Sequence, residues 1–189
     1  MLLAPIPFLF LAALVFFHTS ELALAVAYAR SDVSLKNCLV TKPYCVALAA
    51  GLIEYGLEER HLGGWITQVV RISGGAMVVS GELIRKLAMV TAKGNFTHKM
   101  VEERRQTHKL VTHGIYSWVR HPGYLGWMLW AIGMQMLLVN PVCTVACICV
   151  SWRFFKERIF VEEKLLREFF PGSYEHYSKT VPSGLPFLQ

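Results

Sequence analysis

The chain has 189 residues, 54% of them hydrophobic and only 17% charged, with a mean hydropathy of +0.40 and a net charge of +6. That balance fits an ordinary soluble domain poorly and predicts a protein whose main solvent is lipid. The positive charge does not call for nucleic acid, because the basic residues flank apolar segments, where anionic lipid headgroups account for them more simply.

A spanning helix needs about 20 mainly apolar residues. Leu2 to Tyr28, Trp65 to Val90, Tyr124 to Val139 and Pro141 to about Phe160 fit that template, and Pro43 to Leu57 is a shorter candidate. The predicted fold class is all-α, a polytopic membrane helical bundle of about five transmembrane helices with a cofactor site facing the cytosol. Residues 1–189 read as a single domain. Its parts are a cytosolic cofactor-binding loop at 91–121, a catalytic helical hairpin and extension at 122–170, and a C-terminal strap at 171–189.

In the first segment, Ala25-Val26-Ala27 resembles a signal cleavage site, yet no basic residue precedes the apolar run. His18, Ser20 and Glu21 also interrupt it, so it reads as a retained span. His18 and Glu21 share a helical face, which suits either an interhelical hydrogen bond that fixes packing or one wall of a substrate cavity. Lys93, Lys99, Arg104, Arg105, Lys109 and Arg120 crowd the loop before the fourth span. Arg153, Lys156, Arg158, Lys164, Arg167 and Lys179 crowd the C-terminal stretch. Both regions are expected to face the cytosol, as is the first loop with Arg30, Lys36 and Lys42, leaving the N-terminus opposite.

The five cysteines, Cys38, Cys45, Cys143, Cys147 and Cys149, form no CxxC pair and read as small buried hydrophobes. A metal site would want Cys and His clustered at ligand spacing. No HxxxH or HExxH occurs, and no metal is expected.

The densest polar constellation is His108-Lys109-Leu110-Val111-Thr112-His113-Gly114-Ile115-Tyr116 followed by Arg120-His121-Pro122-Gly123-Tyr124. Proline disfavours a helical residue before it and suits the first helical position, so the fourth helix is predicted to start at Pro122. Its free N–H groups attract carboxylate or phosphate, and Tyr116, His121 and Tyr124 supply stacking and hydrogen bonds. An anionic, partly aromatic cofactor fits that combination; an ordinary interfacial anchor has the same look. The Asn140-Pro141 turn then makes the fourth and fifth helices a hairpin. Arg158 and Glu162, four apart on one face of the fifth helix, form either a solvated salt bridge or a charged pair that orients a cationic cofactor and an anionic acceptor. The apolar faces carrying Met77, Met89, Trp127, Met128, Trp130 and Met134 are candidates for a lipid tunnel, with Trp127 and Trp130 as substrate contacts. Ordinary helix packing is the simpler explanation of any one of them. The segment from Pro171, rich in Pro and Gly, is expected to be an extended strap over the bundle.

These stretches resemble the isoprenylcysteine carboxyl methyltransferases. The residues carrying the resemblance are Arg120-His121-Pro122-x-Tyr124-x-Gly126-Trp127, Asn140-Pro141, Phe154-Phe155, Arg158, Glu162-Glu163 and Val181-Pro182-Ser183-Gly184-Leu185-Pro186-Phe187. Gly81-Glu82-Leu83-Ile84-Arg85-Lys86, Asn95-Phe96-Thr97-His98 and Phe17-His18-x-Ser20-Glu21 match as well, so the similarity covers nearly the whole chain. The resemblance implies an endoplasmic reticulum membrane enzyme that methylates the C-terminal carboxylate of farnesyl- or geranylgeranyl-cysteine on processed CaaX proteins, using S-adenosyl-L-methionine. It implies cofactor contacts from Val101, His108, Lys109, Leu110, Val111, Tyr116, His121, Pro122, Gly123, Tyr124 and Glu162. Arg158 would engage the substrate carboxylate, with Arg85 as a supporting charge, so that Arg158, Glu162 and Arg85 form the catalytic set. Val101 stands where relatives can carry Gln, so only a backbone contact would survive there. Larger relatives carry extra N-terminal helices, and this chain matches the shorter form.

The implied chemistry agrees with the residues. A carboxylate acceptor is already ionised at pH 7 and needs no general base; what it needs is desolvation and alignment. A phospholipid or other small-lipid methyltransferase would share the cofactor pocket but take an amine, leaving Arg158 without a purpose. A non-enzymatic membrane scaffold would need no cofactor. Sterol reductases share the RHPxY piece but are longer and bind a phosphorylated nicotinamide.

Overall fold

Where lipid offers the backbone no hydrogen-bond partner, apolar runs must satisfy themselves as helices, and the computed structural model is mostly helical, with no strand, over its described residues, 5–28, 41–58, 64–97 and 108–188. The helices are α1 (Ile6–Tyr28), α2 (Lys42–Glu58), α3 (Trp65–Ala92), α4 (Pro122–Leu138), α5 (Pro141–Phe169) and α6 (Ser173–Thr180), with 3-10 turns at Lys93–Asn95 and Gly114–Ser117. The fourth helix starts at Pro122 with His121 as its N-cap, where the proline rule puts it. The fifth runs without a break past Phe160 to Phe169, 29 residues in all, and so carries Arg158 and Glu162 on continuous helix.

The antiparallel pair α3–α4 is the spine. Gly74 and Gly81 on α3 meet Gly133 and Gly126 on α4, each pair seven residues apart along its helix. A Cβ on Gly81 would lie 2.5 Å from the backbone N of Trp130, and one on Gly133 would lie 2.7 Å from Gly74 O. The two backbones touch, as small residues allow where packing rather than the hydrophobic effect joins helices. Helix α1 packs on this pair with Phe17 stacked on Trp130 at 4.0 Å between ring centroids.

The polarity of α1 is inverted relative to a soluble protein. Glu21 is fully buried, whereas Phe8, Leu11, Val15 and Phe16 face outward. Arg85 of α3 holds Glu21 through a two-pronged ion pair, Nε to Oε1 and Nη2 to Oε2, both at 2.8 Å. Lys86 adds a contact to Glu21 Oε1 at 2.7 Å, and Ser20 donates to Glu82 at 2.9 Å. His18 meets the Tyr44 hydroxyl of α2 at 2.9 Å. Of the two roles open to His18 and Glu21, interhelical bonding is the one their geometry performs.

Helix α5 is capped from another helix. Glu54 of α2 accepts from the N–H groups of Val142 and Cys143 at 2.7 and 2.8 Å, and its charge suits the positive end of α5. The preceding turn places Val139 in the left-handed region, φ 61°, and buried Asn140 donates to Gly51 O and Gln135 Oε1.

Two expectations change, and a third is met only in part. Among the described residues, α1 is the one helix long and apolar enough by length and composition to cross a membrane; α2 and α4 have 17 residues each. Helix α3 carries Arg71, Glu82, Arg85 and Lys86 within its run, and α5 carries Arg153, Lys156, Glu157 and Arg158, which dilutes the apolarity of both. Cys45 and Cys149 are exposed and Cys143 is half-buried, so these three are not the buried hydrophobes expected, whereas half-buried Cys147 packs against both core clusters; Cys38 lies outside the described residues. The C-terminal segment is helical over Ser173–Thr180, because its Gly and Pro residues lie at its two ends. The extended part begins at Val181.

Candidate active site

The site forms where the end of α3, the start of α4 and the last turns of α5 converge. Asn95 Oδ1 accepts from the Lys109 N–H at 2.9 Å, tying residues 108–111 to the turn after α3. Gly123 lies so close to Phe96 that a Cβ there would be 2.9 Å from the ring, and its carbonyl accepts from Arg85 Nη1 at 2.8 Å. The buried Glu21–Arg85 pair thus braces the first turn of α4.

Two adjoining cavities open at this junction. One, of about 570 Å³ of open space, is lined by Asn95, Thr97, His108, Lys109, Tyr124, Arg158, Glu162, Leu165, Leu166, Phe169 and Phe170. The other, about 750 Å³, is lined by Ala92, Asn95, Phe96, Thr97, Lys109, Leu110, Val111, Tyr116, Arg120, His121, Pro122, Gly123, Tyr124, Glu162, Leu166, Tyr174 and Tyr177. Tyr124, Glu162 and Lys109 belong to both walls, so the two form one groove.

Every described residue of the expected cofactor set lines this groove, as does Arg158. Val101 lies outside the described residues. Arg85, Trp127 and Trp130 do not reach the groove. Arg85 is buried on Glu21, Trp130 is a core residue stacked on Phe17, and Trp127 packs edge-on against Phe155 at 5.5 Å. Core packing therefore claims the two tryptophans, since the face of α4 that carries them turns toward α1 and α5.

Arg158 and Glu162 are linked through a third residue. Arg158 Nε donates to the Tyr124 hydroxyl at 2.8 Å, and that hydroxyl donates to Glu162 Oε2. Behind them stands a cluster built on Glu163. Its Oε1 accepts from Arg120 Nε at 3.0 Å, from Arg120 Nη2 at 2.8 Å and from His121 Nε2 at 3.1 Å. Arg167 reaches Oε2 at 3.1 Å. Burial disfavours the Glu163 charge, but the bonds from His121 and Arg120 and the Arg120 charge outweigh it, holding the carboxyl down at about 2.

The Arg120-His121 step also fastens the C-terminus. Arg120 Nη1 donates to the carbonyls of Ser178, at 2.9 Å, and Val181. The backbone N–H groups of Arg120 and His121 donate to Pro182 O and Ser183 O at 2.9 and 3.1 Å. The Tyr177 hydroxyl donates to Tyr116 O at 2.5 Å. Burial pushes the Tyr177 phenol up to about 12 against the pull of Arg120. Burial, then the Glu162 charge, push Tyr116 up as well.

Sequence reasoning did not assign Arg120 and Glu163 to the site. The pair Glu162-Glu163 is the signal that was available: adjacent carboxylates on a helix point about 100° apart, so they serve different neighbours.

The isoprenylcysteine carboxyl methyltransferase family model matches residues 74–168, which hold the end of α3, all of α4 and nearly all of α5. A relative from Oryza sativa subsp. indica named "Probable protein-S-isoprenylcysteine O-methyltransferase" is 46% identical over 184 residues, covering 96% of each chain. Protein-S-isoprenylcysteine O-methyltransferase B of Arabidopsis thaliana is 42% identical over 182 residues, covering 93% of this chain and 90% of its own. The fold matches a solved structure of a eukaryotic intramembrane Ras methyltransferase, isoprenylcysteine carboxyl methyltransferase, with a TM-score of 0.90 and 35% identity, covering 99% of this chain and 70% of that one. On this agreement of sequence, groove and fold, the chain belongs to the isoprenylcysteine carboxyl methyltransferase family.

Proposed function

We propose that the groove carries methyl transfer from S-adenosyl-L-methionine to the C-terminal carboxylate of isoprenylated cysteine on processed CaaX proteins, in the endoplasmic reticulum membrane with the groove toward the cytosol. The observation that carries this reading is the placement of one cationic and one anionic side chain, Arg158 and Glu162, on the same groove wall beside the start of α4.

The groove's chemistry fits the donor. Its walls combine the first turn of α4, where Gly123 leaves no room for a side chain against Phe96, with the 108–111 segment, aromatic rings and the Glu162 carboxylate. When bound, S-adenosyl-L-methionine supplies a sulfonium-activated methyl group. His108, Lys109, Leu110, Val111, Tyr116, His121, Pro122, Gly123, Tyr124 and Glu162 would hold it. At the start of α4 Pro122 has no N–H and those of Tyr124 and Leu125 donate to His121 O at 3.1 Å, so Gly123 is the first-turn donor offered to an anionic group, and Glu162 offers acceptor oxygens for an amino group or hydroxyls.

Arg158 serves the acceptor. Its planar fork matches a carboxylate, replaces the water that must leave, and fixes direction. No side chain has to remove a proton, so rate comes from positioning. The apolar outer faces of α1, α3 and α5 leave the prenyl chain a route from the bilayer, and the basic residues near the groove favour the cytosolic side. Arg85 serves as a brace for α4, acting through Gly123.

The test is transfer of labelled methyl groups in proteoliposomes to N-acetyl-S-farnesylcysteine and, separately, to phosphatidylethanolamine. Turnover of the first alone is expected. Turnover of the amine lipid alone would overturn the assignment in favour of a lipid methyltransferase.

A further inference from the structure

Tyr124 Oη joins the two charged side chains that α5 brings to the groove. It accepts from Arg158 Nε at 2.8 Å and donates to Glu162 Oε2. The direction of both bonds is fixed by chemistry, since a guanidinium only donates, an ionised carboxylate only accepts, and a phenol has one hydrogen to give.

The ring behind that hydroxyl is held by packing. It lies near-parallel to His121, 5.7 Å between centroids and 10° between planes, and to Phe155, 4.9 Å and 24°. Phe155 is itself buried in the second core cluster, and His121 is pinned by Glu163. The Arg158 guanidinium carbon sits 5.6 Å from the Tyr124 centroid. The hydroxyl therefore takes its position from the bundle core and not from the loops that line the rest of the groove.

We propose that Tyr124 is a positioning residue for the acceptor: its hydroxyl sets the rotation of the Arg158 guanidinium so that the Nη1–Nη2 edge meets the acceptor carboxylate. This rests on the assignment of Arg158 to that carboxylate. A guanidinium held at Nε by a hydroxyl that the core fixes starts nearer the angle an acceptor needs, so less of its rotation remains to be ordered when the acceptor binds. The same hydroxyl restrains Glu162 on the donor side, so a single phenol spaces the two ligands' charged contacts.

Tyr124→Phe removes the hydroxyl and keeps the stacked ring, and its folding is checked by thermal unfolding against the parent. Affinities for N-acetyl-S-farnesylcysteine and for its carboxamide are measured in the purified full chain, with the donor's affinity alongside. The parent is expected to favour the acid. In Tyr124→Phe that preference falls about tenfold, the scale of a lost hydrogen bond to a charged group, while carboxamide affinity holds. Against Arg158→Ala, the added Tyr124→Phe change leaves the acid-to-carboxamide ratio unmoved, because its effect passes through Arg158. Equal losses for acid and carboxamide, a change confined to donor affinity, or the same loss of preference in the Arg158→Ala background would overturn the proposal. A parent with no preference for the acid would overturn it too, and would do so by removing Arg158's own role.

Discussion

At the residue scale, neighbouring carboxylates have been given opposite duties. Glu162 faces the groove, and Glu163 faces inward to Arg120 and His121. Because Glu163's carboxyl sits at about 2 where 4.5 is ordinary, folding favours its ionised form. The stability it contributes is fully present above pH 4.5 and is lost as the pH falls through about 2. Glu163→Gln is accordingly expected to unfold more easily than the parent at pH 6, by thermal scans in one detergent, with the gap narrowing toward pH 3. A gap that stays constant with pH would mean that Glu163 matters for shape and not charge. For the groove pair, Arg158→Ala should lower kcat/KM for the prenylcysteine about 100-fold, the scale of two charge-assisted bonds, with donor affinity kept within about threefold. Glu162→Ala should chiefly weaken the donor. If both variants lost donor affinity equally, the division of labour would fail. Spacing four residues apart made Arg158 and Glu162 legible as a pair, but their link through Tyr124 was not, because Tyr124 lies 34 residues away from Arg158 in the chain. Arg120 lies 43 from Glu163, so local pattern could not join them either.

At the element scale, α3 and α4 hold the groove's floor in place through backbone contact. Gly133→Ala puts a methyl 2.7 Å from the Gly74 carbonyl and should destabilise the protein by about 1–3 kcal/mol, the usual cost of overpacking. Gly75→Ala, one residue along α3 from that contact and with nothing within 4 Å, should be neutral or stabilise by up to about 1 kcal/mol through helix propensity. Thermal midpoints of the two variants check both, and equal midpoints would mean that α3 and α4 can part without cost. Helix existence was readable because apolar runs and Pro122 and Pro141 mark spans and starts. The final helix was missed because the glycines and prolines around Ser173–Thr180 drew attention from the residues between them. Tryptophans on α4 suggested a tunnel, yet Trp130 is spent on Phe17; composition alone does not say which neighbour an aromatic face meets.

At the scale of the whole molecule, many large apolar side chains face outward around an apolar core, and a set of buried charges forms a chain of support toward the groove. Glu21 on α1 holds Arg85, Arg85 holds Gly123 at the start of α4, and α4 carries Tyr124 into the wall. On the other side Glu163 and Arg120 bind the last helix and strap against the same corner. Fold class and the groove's membership were largely legible, because both follow from runs and motifs. The supports were not, because each spans dozens of residues and is decided by packing. The central claim is that this groove makes an ester on an acceptor carboxylate oriented by Arg158. It is tested most directly by incubating the purified chain with methyl-labelled S-adenosyl-L-methionine and N-acetyl-S-farnesylcysteine, then treating the recovered product with mild base. The account predicts label released as methanol from the parent and almost none from Arg158→Ala. A folded, donor-binding parent that transfers no label, or a label that resists base because it sits on nitrogen or sulfur, would contradict it.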